Sequence, residues 1–456
     1  MRSFDVVVIG AGPGGEVAAG RLAEGGLDVA IVEDRKVGGE CSYWACMPSK
    51  GLLRPAEVLA EARRVEGAKQ AITGDLDVPA VLARRDEIIH DLDDSGQLPW
   101  LEDRGIALVR GFGELVGERR VRVGDEELEA VRAVILSTGS LPSMPPIEGL
   151  DAIDDAWTNR DATTAKEIPR RLVIMGGGVV GVEMSQAFQT LGAAVTLIEG
   201  ERRLLPREEE FACEQVTDAL VEYGVDVRTG QKAEKVEQRG SEVVVTTTDG
   251  REATGDTLLV ALGRKPQTKG LGLEALGIDT DEPVHVDINM QVPGHPWLYA
   301  IGDVNGKALF THMGKYQARV AADHIHGLDT ALSHDADGAL SPRVIFTEPQ
   351  VAAVGHTVDT AAEAGLVVQV VETTTSGNAG GSFYGRNAPG TARLLIDRER
   401  RVVVGATITG AEVGEMLHAA TIAIVGEVPL ERLRHAVPCF PTRSEIWLTL
   451  LAEAGV

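Results

Sequence analysis

Cysteine is scarce in this chain: four residues in 456, at Cys41, Cys46, Cys213 and Cys439. That excludes a disulfide-stapled secreted scaffold, and the isolated Cys213 and Cys439 form no second paired motif from which a tetrahedral zinc site could be built. Positive charge is short as well. Lys and Arg number 44 against 69 Asp and Glu, a formal net charge of -25, which repels nucleic acid and anionic membrane as partners. No stretch reaches the roughly eighteen apolar residues that a membrane span requires. The opening apolar run Val6–Ile9 is too short for a signal-peptide core and runs into glycines instead of a cleavage site. These absences together predict a cytoplasmic protein. Low-complexity linkers are missing too, so domain borders carry no compositional mark.

What is present is length for about three domains, and two copies of one nucleotide-binding grammar. Phe4–Ile9 reads as a buried strand, followed by Gly10-Ala11-Gly12-Pro13-Gly14-Gly15, a helical stretch to Ala23 and a second strand Val29–Glu33. In such a βαβ unit the first glycine makes the tight turn. The next lets backbone approach a pyrophosphate at the helix N-terminus, and the last lets helix and strand pack closely. Glu33 is placed to accept the adenosine ribose hydroxyls. The pattern recurs as strand Leu172–Met175, Gly176-Gly177-Gly178-Val179-Val180-Gly181, a helix, strand Ala194–Ile198 and Glu199, with the offset from first glycine to acid identical in both copies. Two dinucleotide sites are therefore expected, one at Gly10, Gly12, Gly14, Gly15 and Glu33, the other at Gly176, Gly178, Gly181 and Glu199. A carboxylate at Glu199 bonds a ribose diol and repels a 2′-phosphate, which predicts NAD(H) over NADP(H); Arg202 and Arg203 follow closely and soften that preference.

Trp297–Ile301 is an apolar strand that ends in Gly302-Asp303, a place for a carboxylate to hold a flavin's ribityl hydroxyls. Thr138-Gly139 and Gly263 each close an apolar strand where the chain leaves a nucleotide fold. The fold expected is α/β: two nested Rossmann-like dinucleotide-binding domains, 1–150 with 271–335 and 151–270, plus a C-terminal α+β domain over 336–456. The helical stretch from Pro55 to Trp100 and the short strands from Ile106 to Leu136 read as insertions packed on the first fold. In the last domain, strands are expected over Leu394–Asp397 and Val402–Thr407, and helices over Glu412–Ile424 and Arg443–Ala452.

About thirty residues after the first fingerprint comes Gly38-Gly39-Glu40-Cys41-Ser42-Tyr43-Trp44-Ala45-Cys46-Met47-Pro48-Ser49-Lys50. A cysteine pair at this spacing can close a small disulfide loop that takes two electrons from a reduced flavin and passes them on. Two buried structural cysteines are the alternative at this point.

Taken in order along essentially the whole chain, these motifs resemble the FAD-dependent pyridine nucleotide-disulfide oxidoreductases, the family of dihydrolipoyl dehydrogenase and mercuric reductase. The resemblance implies FAD at the first fold, a nicotinamide nucleotide at the second, and a homodimer in which the partner's C-terminal domain completes the active site. It makes Cys46 the thiolate against the flavin and Cys41 the interchange thiol. Lys50 and Glu183 match the pair near the flavin N5, where an ammonium stabilises anionic reduced flavin and a buried lysine needs a counter-charge.

The departure lies at Val437-Pro438-Cys439-Phe440-Pro441-Thr442-Arg443-Ser444-Glu445. Phe440 stands where the family's acid/base histidine is expected, Glu445 matches its orienting glutamate, and His435 is displaced by five residues. A positioned acid/base contributes about 10²–10⁴-fold to rate, so the resemblance implies reduction of a small disulfide-type acceptor whose leaving group tolerates the absence of an acid. Alternatives are a quinone or dye reductase (diaphorase) working directly from FAD, and a carboxylating enzyme like 2-ketopropyl-coenzyme M reductase/carboxylase, which also carries phenylalanine there. Tyr43 and Trp44 either reshape the substrate face or pack a helix. Cys439 is either a third thiol of the pocket or a small core residue, Cys213 reads as structural, and the loop from Ser376 to Arg386 either lines a site or connects strands. No metal site is expected.

Overall fold

The computed structural model describes residues 1–332, 338–385 and 388–456. The expected border at 335–336 and Arg386 lie outside the described residues. Contacts divide the chain into two compact units: Met1–Met47, Asp86–Pro142 and Arg264–Ala339 form one, and Pro48–Arg85, Ser143–Gly263 and Leu340–Val456 the other.

The first unit is built on five parallel strands in the order His295–Ala300, Glu126–Leu136, Arg2–Ile9, Val29–Glu33 and Ala107–Arg110. Successive side chains of a strand point to opposite faces, and both faces of a parallel sheet are covered. Accordingly Val6 and Val8 enter one core with Ala18 and Leu22 of the helix Pro13–Glu24 and Ala318 and Ala321 of the helix Thr311–Ile325. Val7 and Ile9 enter another with Leu115, Val121, Leu128 and Leu271. The continuous apolar run at the start of the chain is thus a central strand, buried on both sides.

The second unit repeats the scheme with parallel strands Asp226–Arg228, Ala194–Ile198, Arg171–Met175 and Thr257–Val260. Leu172 and Ile174 face one core, Val173 and Met175 another. A three-stranded antiparallel sheet, Ala233–Arg239, Glu242–Thr247 and Glu252–Gly255, covers the second of these. The C-terminal part is a five-stranded antiparallel sheet, ordered Arg343–Ile345, Gln350–Gly355, Val402–Gly410, Thr391–Asp397 and Val368–Thr374. It is joined to the nucleotide fold by Glu208 to Arg343 at 2.7 Å and Glu209 to Arg393 at 2.6 Å. The helix expected over Glu412–Ile424 is a 3-10 turn, Val413–Met416, followed by an α-helix, Leu417–Val425.

One expectation is corrected. The helical stretch from Pro55 to Trp100 was expected to pack on the first fold, but its residues up to Arg85 belong to the second unit. The reason is burial: Leu52, Leu53 and Val81 sit in the same core as Ile174, Val182 and Phe188, and periodicity within a helix reports that a face is apolar without saying what covers it.

Phe188 is fully buried in that core and tilts against Trp157 at 5.8 Å between ring centres. Phe188→Ala is expected to cost about 3–5 kcal/mol, read as a lowered urea midpoint.

Candidate active site and nucleotide cradles

Both glycine turns are shaped by the same close approaches. Gly10 and Gly176 adopt φ of +104° and +109°, a left-handed region that excludes side chains, and a Cβ on either would stand 2.3 or 2.4 Å from the carbonyl oxygen of Ser137 or Ala261. A Cβ on Gly15 would lie 1.9 Å from the Gly10 oxygen, and one on Gly181 1.8 Å from the Gly176 oxygen. Gly12 and Gly178 instead face open space, leaving the backbone ahead of the helices Pro13–Glu24 and Val179–Thr190 clear for a pyrophosphate. A Cβ on Gly14 would meet Ser137 Oγ at 3.3 Å and the Gly314 carbonyl oxygen at 3.4 Å.

The two acids at the strand ends perform the same task. Glu33 accepts the backbone N–H of Ala11 at 2.7 Å and of Arg35 at 2.8 Å; Glu199 accepts that of Gly177 at 2.5 Å and of Glu201 at 2.7 Å. Each carboxylate braces the turn after the first glycine. Burial pushes the Glu33 carboxyl above its ordinary range, against the two N–H donors.

Asp303 follows Gly302 in a 3-10 turn at the end of the strand His295–Ala300. Ser140 Oγ donates to it at 2.5 Å, and Arg264 donates in turn to Ser140 Oγ at 2.7 Å. Burial pushes the Asp303 carboxyl up, opposed by that hydroxyl and by Arg264. Thr138 donates to the Gln267 carbonyl at 2.8 Å, and Gly139 turns with φ of +74°. In the second fold Gly263 turns likewise with φ of +100°. Sequence reasoning missed Gln317, fully buried, whose side-chain oxygen accepts the Gly302 N–H at 2.7 Å and the Asn305 amide at 2.9 Å and so fixes the turn that carries Asp303.

Cys41 and Cys46 are joined in a disulfide with Cα atoms 4.8 Å apart. Cys41 lies in the short helix Gly39–Tyr43, and Cys46 opens the nineteen-residue helix Cys46–Arg64. The positive end of a long helix favours a thiolate on Cys46 once the disulfide is reduced. Thr311 Oγ1 lies 3.4 Å from Cys46 Sγ. A sequence gives no local signal for Thr311, which is brought in from 265 residues away by the first residue of the helix Thr311–Ile325. Tyr43 is 1% exposed, its hydroxyl lacks a hydrogen-bond partner, and burial pushes its pKa up to about 12. Tyr43 therefore packs the short helix and does not form a substrate face, with Trp44 edge-on to it at 5.8 Å.

Four residues along the long helix from Cys46, Lys50 donates to both carboxylate oxygens of Glu183, at 3.1 and 2.9 Å. Three further contacts complete this pair: the Phe346 backbone N–H donates to Glu183 at 3.0 Å, the Lys50 ammonium donates to Ser49 Oγ at 3.3 Å, and it stands 4.5 Å from the centre of the Phe346 ring. Phe346 was not foreseen.

At the other end of the chain Phe440 is 77% exposed. One Glu445 carboxylate oxygen is buried without a hydrogen-bond partner. Cys439 is exposed and is not a core residue, His435 is exposed, and Cys213 is buried with its thiol pushed up to about 11 by desolvation. The glycine-rich loop is a support: Asn378 donates to the Arg443 carbonyl at 3.3 Å, and the Arg443 guanidinium stands 4.6 Å over Tyr384. A Cβ on Gly380 would meet the Thr442 carbonyl carbon at 2.1 Å. No cluster of three or more His, Cys, Asp or Glu suited to a metal exists among the described residues, and no helix among them is long and apolar enough to cross a membrane.

Two outcomes follow from these surroundings. Lys50→Met leaves the buried Glu183 with only the Phe346 N–H and is expected to destabilise by about 1–3 kcal/mol in urea, with Glu183→Gln added to it restoring part of the loss. Iodoacetamide near neutral pH should modify Cys213 only after unfolding, as peptide mapping would show.

Residues 4–324 match the pyridine nucleotide-disulphide oxidoreductase family, and residues 341–451 match that family's dimerisation domain. The chain is 34% identical to dihydrolipoyl dehydrogenase of Thermus scotoductus, over 98% of this chain and 96% of that one. It is 31% identical to mercuric reductase of Lysinibacillus sphaericus, over 97% and 81% of the two chains. In structure it is similar to the HOCl-induced flavoprotein disulfide reductase RclA from Escherichia coli, with a TM-score of 0.85 and 26% identity over 98% of this chain and 99% of that one. LpdA from Mycobacterium tuberculosis shares the fold, with a TM-score of 0.87 at 24% identity over 100% of both chains. The family is FAD-dependent and uses pyridine nucleotides. The nested nucleotide folds, the Cys41–Cys46 disulfide and these matches agree: the chain belongs to the pyridine nucleotide-disulphide oxidoreductases and carries their dimerisation domain.

Proposed function

We propose that this chain is an NADH-dependent flavin disulfide reductase in which the Cys41–Cys46 pair reduces a small, activated disulfide without an imidazole acid/base. The observation that carries this reading is the Cys41–Cys46 disulfide opening a long helix with a hydroxyl beside the Cys46 sulfur; to it the reading adds the expectation that Phe440 takes the place of the family's histidine.

The first cradle fits FAD: open backbone at Gly12, a clear helix start, and the carboxylates of Glu33 and Asp303 for ribose and ribityl hydroxyls. The second fits a nicotinamide nucleotide at Gly178 and Glu199. FAD held in the first cradle would supply two-electron transfer between the nicotinamide and the sulfur pair. Lys50, anchored by Glu183 and Phe346, supplies the positive charge that favours the reduced side of that transfer. The helix start and Thr311 favour the thiolate at Cys46, which leaves Cys41 as the sulfur that attacks substrate.

An alkyl disulfide releases a basic thiolate that needs a proton, whereas an aromatic disulfide releases a stable one. Phe440 donates no proton, so the second class is favoured. Phe440 and Val437, 77 and 78% exposed in the single chain, support a homodimer in which this segment closes the partner's dithiol pocket. The reducing cytosol is the compartment in which such a pair would cycle.

Two substitutions test the reading. Cys41→Ser should abolish NADH-dependent reduction of 5,5′-dithiobis(2-nitrobenzoate) yet leave quinone reduction; equal retention of both would sink the dithiol route and favour the diaphorase. Phe440→His, with Glu445 still in place, should raise lipoamide reduction at least tenfold, towards the about 10²–10⁴-fold that a positioned acid/base supplies.

A further inference from the structure

The second nucleotide fold carries two arginines that the proposed cofactor choice does not use. They lie in a loop pinned at both ends to the middle glycine of the turn: Glu199 accepts the Gly177 N–H at 2.5 Å, and the Leu205 N–H donates to the Gly177 carbonyl at 2.9 Å. Between these anchors Glu201 donates its N–H back to Glu199 at 2.7 Å. Arg202 and Arg203 therefore follow directly on the carboxylate that would hold the adenosine ribose. Guanidinium groups there are the ordinary means of holding a 2′-phosphate.

Neither arginine is free. Glu210 Oε1 lies 3.0 Å from Arg202 Nη2 and 3.6 Å from Arg203 Nη1, and Arg203 Nη2 stands 3.9 Å from Asp359. Glu210 is the first residue of the helix Glu210–Glu222, where the helix dipole favours a negative charge. Its two acidic neighbours are committed elsewhere, Glu208 to Arg343 and Glu209 to Arg393, so Glu210 is the carboxylate of that run that reaches both loop arginines.

We propose that Glu210 is a positioning residue for cofactor specificity: it engages both guanidinium groups that a 2′-phosphate would recruit, so Glu199 and Glu210 together select NADH against NADPH. This rests on the reading of the second fold as an NADH site. Glu199 repels the extra phosphate directly. Glu210 acts through the arginines, by engaging the positive charge that would compensate.

The test is binding to the holoenzyme of 5′-AMP and of adenosine 2′,5′-bisphosphate, by calorimetry, with KM for NADH and NADPH alongside. Glu210→Gln should tighten the bisphosphate about 2–5-fold, the size expected of exposed ion pairs, and move 5′-AMP by less than about 1.5-fold. The gain should shrink in high salt and vanish when Arg202→Gln and Arg203→Gln are added. An unchanged bisphosphate-to-AMP ratio would overturn the proposal, as would a gain that survives loss of both arginines. A wild-type enzyme that already prefers NADPH would instead overturn the NADH reading, while the change in ratio on Glu210→Gln still decides the role of Glu210. Absence of binding by either mononucleotide in both proteins would overturn both.

Discussion

A backbone contact governs each nucleotide fold: the last glycine of the turn lies so close to the carbonyl of the first that no side chain fits between them. That contact lets the helix settle onto the strand ahead of it, and everything the turn presents follows. It aims the N–H of the second turn residue at the strand-end carboxylate, so that Glu33 and Glu199 brace their turns before any ligand arrives. It also leaves Gly12 and Gly178 facing open space, where a phosphate can approach the main chain. The same geometry was reached twice in one chain with different residues at other positions, Ala11 and Pro13 in one turn and Gly177 and Val179 in the other, because the glycines at the first, third and last positions and the acid carry the constraint.

The sulfur pair draws its asymmetry from placement. Of the two chemically identical sulfurs one lies within a short helix and the other opens a long one, and Cys46 has both that helix terminus and a hydroxyl at hand. Lys50 is set by the same helix, one turn on, and is held by a carboxylate that is itself fixed by the Phe346 main chain. A single helix thereby positions both Cys46 and Lys50.

The repeated nucleotide folds and their strand limits were legible in the sequence because they are local: the apolar run, the glycine turn and the acid fall within about thirty residues. Ala194–Ile198 and Val29–Glu33 came out as expected for that reason. What was not legible depends on distance along the chain. Thr311 beside Cys46, Gln317 beneath Gly302 and Phe346 beside Lys50 leave no trace near the residues they serve. The stretch from Pro55 read as helical, yet nothing in it told which core would receive it. Tyr43 read equally as a surface or a packing residue, since an aromatic side chain suits both until its neighbours are known.

The segment that carries Phe440 is held by Gly380 against Thr442, by Asn378 on the Arg443 carbonyl and by Arg443 over Tyr384 and onto the Ala411 carbonyl. None of these contacts involves the side chain at position 440, which points away into the open within the single chain. Selection for a folded protein is therefore nearly blind to that side chain. The side chain at that position can be exchanged without disturbing any of the contacts that hold the segment.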